Sequence, residues 1–194
     1  MDSTTTEGAP RRRYAPLPIT SVAIDGGFWG ERLRTNRERS IAHIYEQCKR
    51  TGRIDAFRTD WNPSEEVTRR DGRWSGTVVM FWDSDVAKWI EAASYVLATH
   101  PNPELDALLD EVIELIAARQ LPDGYLNTWF TTVDPEHRFM NLRDWHELYD
   151  AGHLIEAAVA HFGATGKRSL LDVMCRYADL IGQTFGREPG QRRG

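Results

Sequence analysis

The chain has 194 residues, of which 41% are hydrophobic and 27% are charged, and its formal net charge at pH 7 is −5. This composition is that of an ordinary soluble domain with a core of normal size. The acidic balance gives no electrostatic support for a nucleic-acid-binding or anionic-membrane-binding protein, and no apolar run is long enough to predict a transmembrane helix.

The N-terminal residues 1–16 are polar, with Pro and Arg among them, and we expect them to be a disordered tail. They contain no apolar segment typical of a secretory signal, so the expected location is the cytoplasm. After the tail, Ile19, Val22 and Ile24 precede a pair of glycines, which predicts a short strand or an extended arm.

Helical periodicity then predicts about five helices, joined by loops that alternate between short and long. They span residues 31–51, 83–100, 102–120, 144–163 and 168–185. Asn102 is expected to cap the third of these helices and Pro103 to occupy its first turn, while Asp83 or Ser84 is expected to cap the second. Serial helices with almost no strand predict an all-α fold, built as an array or toroid of helical hairpins.

The two cysteines, Cys48 and Cys175, both fall within helical patterns. Two isolated cysteines are no disulfide framework, so the pattern favours a reducing compartment. We therefore interpret each one as a small buried hydrophobic residue.

The segment DWHELYDAGH, residues 144–153, begins like a zinc-protease helix. That motif needs a second histidine four residues after the first, so that both imidazoles reach one metal ion. Asp150 occupies that position here, and His153 lies seven residues after His146, roughly 10 Å along the helix axis. The spacing therefore argues against a shared zinc ion.

The same segment places His146, Tyr149, Asp150 and His153 on one helix face. Spacing alone leaves open whether this face lines a polar pocket or is satisfied within the core. Glu147 points elsewhere and is expected, like Glu156, to face solvent or to form an ion pair. The predicted apolar stripe of this helix consists of Leu148, Ile155, Val159 and Phe162.

Two features are compatible with a carbohydrate ligand without establishing one. Several of the seven tryptophans lie in predicted loops, where a flat aromatic face either stacks on a sugar ring or anchors the loop to the core. In QLPDGYLNT, residues 120–128, Gln120, Asp123, Tyr125 and Asn127 either present hydrogen-bonding groups to a polyol or form a turn that caps the preceding helix. No spacing singles out the carboxylate pair of a typical glycosidase.

Three segments, DSDVAKWIEAASYVLA, QLPDGYLNTWF and HELYDAGHLIEAAVAHFGATGKRSLLD, resemble the bacterial β-L-arabinofuranosidases of glycoside hydrolase family 127. The segment VAIDGGFWGERLRTNRERSI also resembles the N-terminal arm and first helix of that family. The resemblance implies that residues 17–194 form the N-terminal part of an (α/α)6 toroid. It also implies hydrolysis of terminal β-L-arabinofuranosyl residues with retention, by a cysteine that zinc holds as a thiolate.

Carried over by position, His146 matches the histidine of the family's HELY motif, which contacts bound arabinose, and Tyr149 and His153 take a supporting role in the same pocket. Cys48 and Cys175 match neither the nucleophile nor the zinc ligands of the family. Those residues and the acid/base glutamate lie further along the family's chain, so the resemblance assigns no catalytic residue and no metal ligand here. We therefore expect an incomplete toroid, an N-terminal fragment that is inactive alone.

The expected ligand is an arabinose-containing oligosaccharide or glycoconjugate, and exposed apolar helix faces predict self-association or pairing with a C-terminal half. Two other functions stay open at this point. One is a non-catalytic helical module that binds a sugar or a partner protein. The other is a different (α/α)6 enzyme, such as an unsaturated uronyl hydrolase or a sugar epimerase, which needs neither zinc nor cysteine.

Overall fold

A computed structural model describes residue 15 and residues 17–63 and 79–193 of the chain. Its α-helices are α1 Gly27–Thr35, α2 Ile41–Arg50, α3 Trp82–Thr99, α4 Pro103–Arg119, α5 Thr128–Thr132, α6 Glu147–Thr165 and α7 Ser169–Thr184. A π-helical segment, Asn36–Ser40, joins α1 to α2 without a break. Among the described residues the β pairing is limited to an isolated bridge between Phe185 and Arg192, so the all-α prediction is confirmed.

The helices α3 and α4 form one hairpin, and α6 and α7 form a second hairpin beside it. The helices α3 and α6 run parallel, because Lys88 contacts Tyr149 and, further along both helices, Glu91 lies close to His153. The helices α4 and α7 also pack against each other. The two hairpins therefore form two layers, with α3 and α6 in one layer and α4 and α7 in the other.

Small side chains explain the extensive packing between α3 and α6. Ala87 and Ala93 of α3 and Ala151 and Ala157 of α6 are fully or almost fully buried. Side chains of this size let two helix backbones approach closely. Larger residues fill the rest of the core, and those fully or almost fully buried include Val86, Ile90, Leu109, Ile113, Ile116, Leu154, Leu170, Met174 and Tyr177.

The predicted helix boundaries are confirmed best where the signal is local. The Asn102 side chain accepts hydrogen bonds from the backbone N–H groups of Glu104 and Leu105, at 3.0 and 3.1 Å, and Pro103 is the first residue of α4. The prediction that Asp83 or Ser84 caps α3 is wrong. The helix begins at Trp82, and both residues lie inside its first turn.

The N-terminal region differs from the sequence prediction in two ways. The first helix begins at Gly27, four residues earlier than expected. The described residues before it pair with no strand; Ile19–Ser21 is a 3-10 turn followed by extended backbone, and the side chains of Val22 and Ile24 are exposed. An extended arm is therefore correct and a strand is not. Apart from residue 15, the expected tail, residues 1–16, lies outside the described residues. So do residues 64–78 of the long connection, which include Trp74.

The burial predictions fail at two places. Cys48 is buried as expected, but Cys175 is exposed on α7. On α6 the predicted apolar stripe is wrong, because Val159 and Phe162 are 58% and 39% exposed while Leu154 is fully buried. The physical reason is the close contact with α3, which places alanines rather than long side chains on the buried face of α6.

Candidate functional site

Three fully or almost fully buried carboxylates, those of Asp83, Glu147 and Asp150, lie at the end of the fold where α3 and α6 both begin. The connection between α4 and α6, residues 120–146, supplies their hydrogen-bond donors. Buried carboxylates are rare in proteins unless they are hydrogen-bonded or paired with a charge. This end of the fold is therefore an organised polar region and not ordinary core.

The dipeptide Asn127–Thr128 fastens the connection to both helices. The backbone N–H and the hydroxyl of Thr128 donate to the two carboxylate oxygens of Asp83, at 2.9 and 2.5 Å. The Asn127 amide donates to Asp150 at 3.0 Å, and its oxygen caps α5 by accepting from the backbone N–H of Phe130. Asn127 therefore connects the loop to Asp150, and Thr128 connects it to Asp83.

Burial has a large effect on the pKa values of Asp83 and Asp150. Desolvation raises the pKa of Asp83 to about 6, although the bonds from Thr128 and the charge of Arg119 act in the opposite direction. Desolvation also raises the pKa of Asp150 well above its usual range, and the nearby charge of Asp83 raises it further. Both carboxyl groups therefore hold a proton at a higher pH than an exposed aspartate does.

The carboxylate of Glu147 links two parts of the connection to α6. The Tyr125 hydroxyl donates to one of its oxygens at 2.5 Å, and the backbone N–H of Phe139 donates to the other at 2.7 Å. Burial raises the pKa of Glu147, against the effect of these two donors. The expectation that Glu147 faces solvent or forms an ion pair is therefore wrong, because neutral donors from the connection satisfy it inside the fold.

His146 immediately precedes α6 and adopts a left-handed backbone conformation, with φ 59° and ψ 16°. Its Nδ1 lies 2.8 Å from the carbonyl oxygen of Asp144. Because a carbonyl only accepts, Nδ1 carries a proton, and in the neutral ring Nε2 is an acceptor. The ring also makes edge contacts with Phe81 and Tyr149, at centroid distances of 5.2 and 5.6 Å.

The left-handed conformation of His146 costs on the order of 1–2 kcal/mol for a residue with a side chain. Strain of this kind persists only where surrounding contacts hold it, and it is concentrated at functional sites. The contacts of His146 include the hydrogen bond to the Asp144 carbonyl and edge contacts with the rings of Phe81 and Tyr149. The conformation of His146 is thus an independent structural indication of a site.

Tyr149 and His153 continue from His146 along the same side of α6. The ring centroids of Tyr149 and His153 are 4.5 Å apart, and the Lys88 ammonium donates to the Tyr149 hydroxyl at 2.8 Å. His153 Nδ1 lies 3.3 Å from a carboxylate oxygen of Glu156. We call His146, Tyr149 and His153 the aromatic row. Asp150, predicted to share this face, is instead buried and accepts the hydrogen bond from Asn127.

The turn at residues 120–128 has a structural role. Gln120 donates to the carbonyl oxygens of Gly124 and Val173, and Asp123 accepts from the backbone N–H of Tyr125. Tyr125 and Asn127 are fully buried. Of the two interpretations left open by the sequence, these contacts therefore support the capping turn over a surface that presents hydrogen-bonding groups to a polyol.

The two cysteines do not fit a zinc–thiolate centre. Cys48 is buried in α2, Cys175 is exposed on α7, and burial raises the pKa of the Cys48 thiol, which opposes thiolate formation. Within residues 17–63 and 79–193, the groups of side chains close enough to share a metal ion contain no cysteine. They are Glu91, His153 and Glu156, and Asp106, Asp110 and His161.

Residues 21–194 match the family model described as Beta-L-arabinofuranosidase, GH127 catalytic domain. The chain belongs to glycoside hydrolase family 127. The resemblance noted from the HELY segment is thereby confirmed, and the other (α/α)6 enzyme families considered above are not supported. The parallel hairpins fit part of the helical toroid that the resemblance implies.

Individual members of family 127 share substantial identity with the chain. A non-reducing end β-L-arabinofuranosidase from Bifidobacterium longum subsp. longum is 44% identical over 120 residues, which are 60% of this chain and 18% of that protein. The structure of Ara127N-Se, a GH127 β-L-arabinofuranosidase from Geobacillus stearothermophilus T6, is 48% identical with a TM-score of 0.74, over 85% of this chain and 26% of that one. The structure of the GH127 β-arabinofuranosidase BT3674 is 37% identical with a TM-score of 0.78, and the match covers 92% of this chain and 28% of that one.

The chain therefore spans between about a fifth and about a quarter of the length of these relatives. Among the helices that the structure describes, none combines the length and the apolar character needed to cross a membrane.

Proposed function

We propose that this chain forms one wall of the sugar pocket of an enzyme that removes terminal β-L-arabinofuranosyl residues with retention of configuration. The observation that carries the proposal is the aromatic row at the start of α6, whose first residue, His146, is held in a strained conformation. The activities named for the family 127 relatives support the choice of sugar.

The row offers the groups that sugar recognition needs. Nε2 of His146 accepts a hydrogen bond from a sugar hydroxyl, since Nδ1 is the donor to Asp144. The half-exposed ring of Tyr149 provides a flat face for the C–H surface of a furanose, and Lys88 beside it donates to oxygen. The buried carboxylates at this end of the fold bond to the connection that leads into α6.

The resemblance places the zinc ligands, the nucleophilic cysteine and the acid/base glutamate of the family further along the family's chain. Cys48 and Cys175 do not fit that centre, so no step of hydrolysis is assigned to them. The complete reaction then needs further polypeptide, either in the same protein or as a separate partner. The exposed apolar side chains Leu17, Phe28, Trp29 and Leu33 at the N-terminal arm and α1 are suited to such an association.

Sugar binding by the purified chain tests the wall directly. Methyl β-L-arabinofuranoside is titrated into isotope-labelled protein, and affinity is taken from chemical-shift changes. His146→Asn keeps a residue that tolerates the left-handed conformation but removes the Nε2 acceptor. We expect binding to weaken roughly 3- to 10-fold, the value of one hydrogen bond.

The matched control is His137→Asn, because His137 is a half-exposed histidine paired with Asp134 and lies outside the aromatic row. It should leave the affinity unchanged. Equal losses in both variants, or no binding by the wild-type chain, would contradict the proposed wall. Turnover of a chromogenic β-L-arabinofuranoside by the purified chain alone would show that the catalytic groups are present, against the proposal.

A further inference from the structure

A second cluster of ionisable side chains lies at the opposite end of α6, where that helix approaches the start of α4. Asp106 and Asp110 are one helical turn apart on α4, and His161 lies in the last turns of α6. One potential ligand atom from each of these three residues lies within 4.8 Å of the other two. The cluster is 15 residues from His146, or roughly 22 Å along the helix, and is separate from the aromatic row.

His161 is the unusual member of this cluster. Its side chain is fully buried, and neither ring nitrogen has a hydrogen-bond partner within the part of the chain that the structure describes. Buried polar atoms are nearly always satisfied in folded proteins, so an imidazole without partners needs an explanation. Burial lowers the pKa of His161, which keeps the ring neutral and therefore able to bind a metal ion.

The position between the two carboxylates already attracts a cation. The Lys167 ammonium donates to Asp106 at 2.7 Å and to Asp110 at 2.6 Å. The carboxylates and the lysine side chain are each between 35% and 40% exposed, so solvent reaches this side of the cluster while His161 closes the other. The C-terminal end of α6 adds partial negative charge from its last carbonyl groups.

We propose that Asp106, Asp110 and His161 form a binding site for a divalent first-row transition ion, with the Lys167 ammonium as the competing cation. One imidazole nitrogen, two carboxylate oxygens and one water molecule make a four-coordinate set of the kind that suits zinc. Ligand distances near 2.1 Å place neighbouring ligand atoms roughly 3.4 Å apart, so side chains whose ligand atoms lie within 4.8 Å of one another must close by at most about 1.4 Å. The flexible Lys167 side chain leaves into solvent as they do.

The test uses the full 194-residue chain, freed of metal with a chelator and titrated with Zn²⁺ by calorimetry. Co²⁺ then serves as a second probe, since its visible spectrum reports the coordination number. We expect one equivalent to bind. His161→Leu should weaken binding about tenfold or more by removing a ligand, and Lys167→Met should tighten it about tenfold by removing the competitor.

Matched controls are His137→Leu, which removes an exposed imidazole beside a carboxylate, and Lys49→Met, which removes a lysine away from the cluster. Both should bind zinc as the wild type does. Unaltered binding in His161→Leu, or no binding in the wild type, overturns the site; unaltered affinity in Lys167→Met overturns the role of the lysine. Circular dichroism establishes that each variant is folded, and Asp110→Asn provides a second ligand deletion if His161→Leu is not.

Discussion

Replacing Asp83 by asparagine tests whether the buried carboxylate at the start of α3 lowers stability at neutral pH. Asparagine has nearly the shape of a protonated aspartate. Its oxygen can accept from the Thr128 backbone N–H, and its amide can donate to the Thr128 hydroxyl, so both contacts are retained. The substitution therefore removes the charge while keeping the geometry.

The expected magnitude follows from the pKa. Burial raises the pKa of Asp83 from 3.8 to about 6, and each unit is worth about 1.36 kcal/mol. The folded state binds the proton more tightly than the unfolded state, so the stability contributed by this group is greatest below pH 4 and is lost as the pH rises through 6. The asparagine side chain does not titrate, so the variant should be more stable by on the order of 1 kcal/mol at pH 4.5 and about 3 kcal/mol at pH 7.5.

The assay is urea denaturation of the wild type and the variant at both pH values, followed by circular dichroism. Asp179→Asn is the control, because Asp179 is exposed and its substitution should change the stability little at either pH. A variant that is less stable than the wild type at pH 7.5 refutes the reasoning. The ionised carboxylate would then gain more from Thr128 and the nearby Arg119 than it loses by desolvation.

Two further substitutions probe the connection that covers this end of the fold. Gly124→Ala places a Cβ 2.7 Å from the Arg176 carbonyl oxygen at a φ of +91°, and it should lower the free energy of unfolding by about 2–4 kcal/mol. Gly166→Ala is the control, because Gly166 also has a positive φ but open space around its Cβ position. It should cost only about 1 kcal/mol in the same denaturation assay. Tyr125→Phe removes the donor to Glu147 and should cost about 1.5–3 kcal/mol. In a double-mutant cycle with Glu147→Leu, which removes the acceptor, the two losses should not add, and simple additivity would contradict the direct bond.

The elements predicted correctly are those with local signals. The cap at Asn102 and the proline after it each depend on a few neighbouring residues, and the structure places both as expected. Such features need no knowledge of the tertiary fold. The predicted helix 144–163, in contrast, is displaced along the chain: α6 runs from Glu147 to Thr165 and ends before a left-handed Gly166.

The buried face of α6 could not be predicted from its own residues. Periodicity assigns long apolar side chains to the core, but the core here needs alanines against α3 and accepts Glu147 and Asp150 as buried residues. What makes those carboxylates tolerable is the set of donors at Tyr125 and Asn127, more than 20 residues earlier in the chain. No local pattern within α6 contains that information.

These buried carboxylates and the strained His146 are parts of one arrangement. Glu147 directly follows His146, and its bonds to Tyr125 and Phe139 fix where α6 begins and hence where the imidazole is presented. Each of these carboxylates carries a desolvation cost, yet each also fastens the connection over the helix starts. A group held this firmly is preorganised for binding, and stability is commonly lost where a site requires such an arrangement. The substitution Asp83→Asn should therefore raise the stability and leave the contacts of His146 intact, because the Thr128 bonds, and not the charge, position the connection.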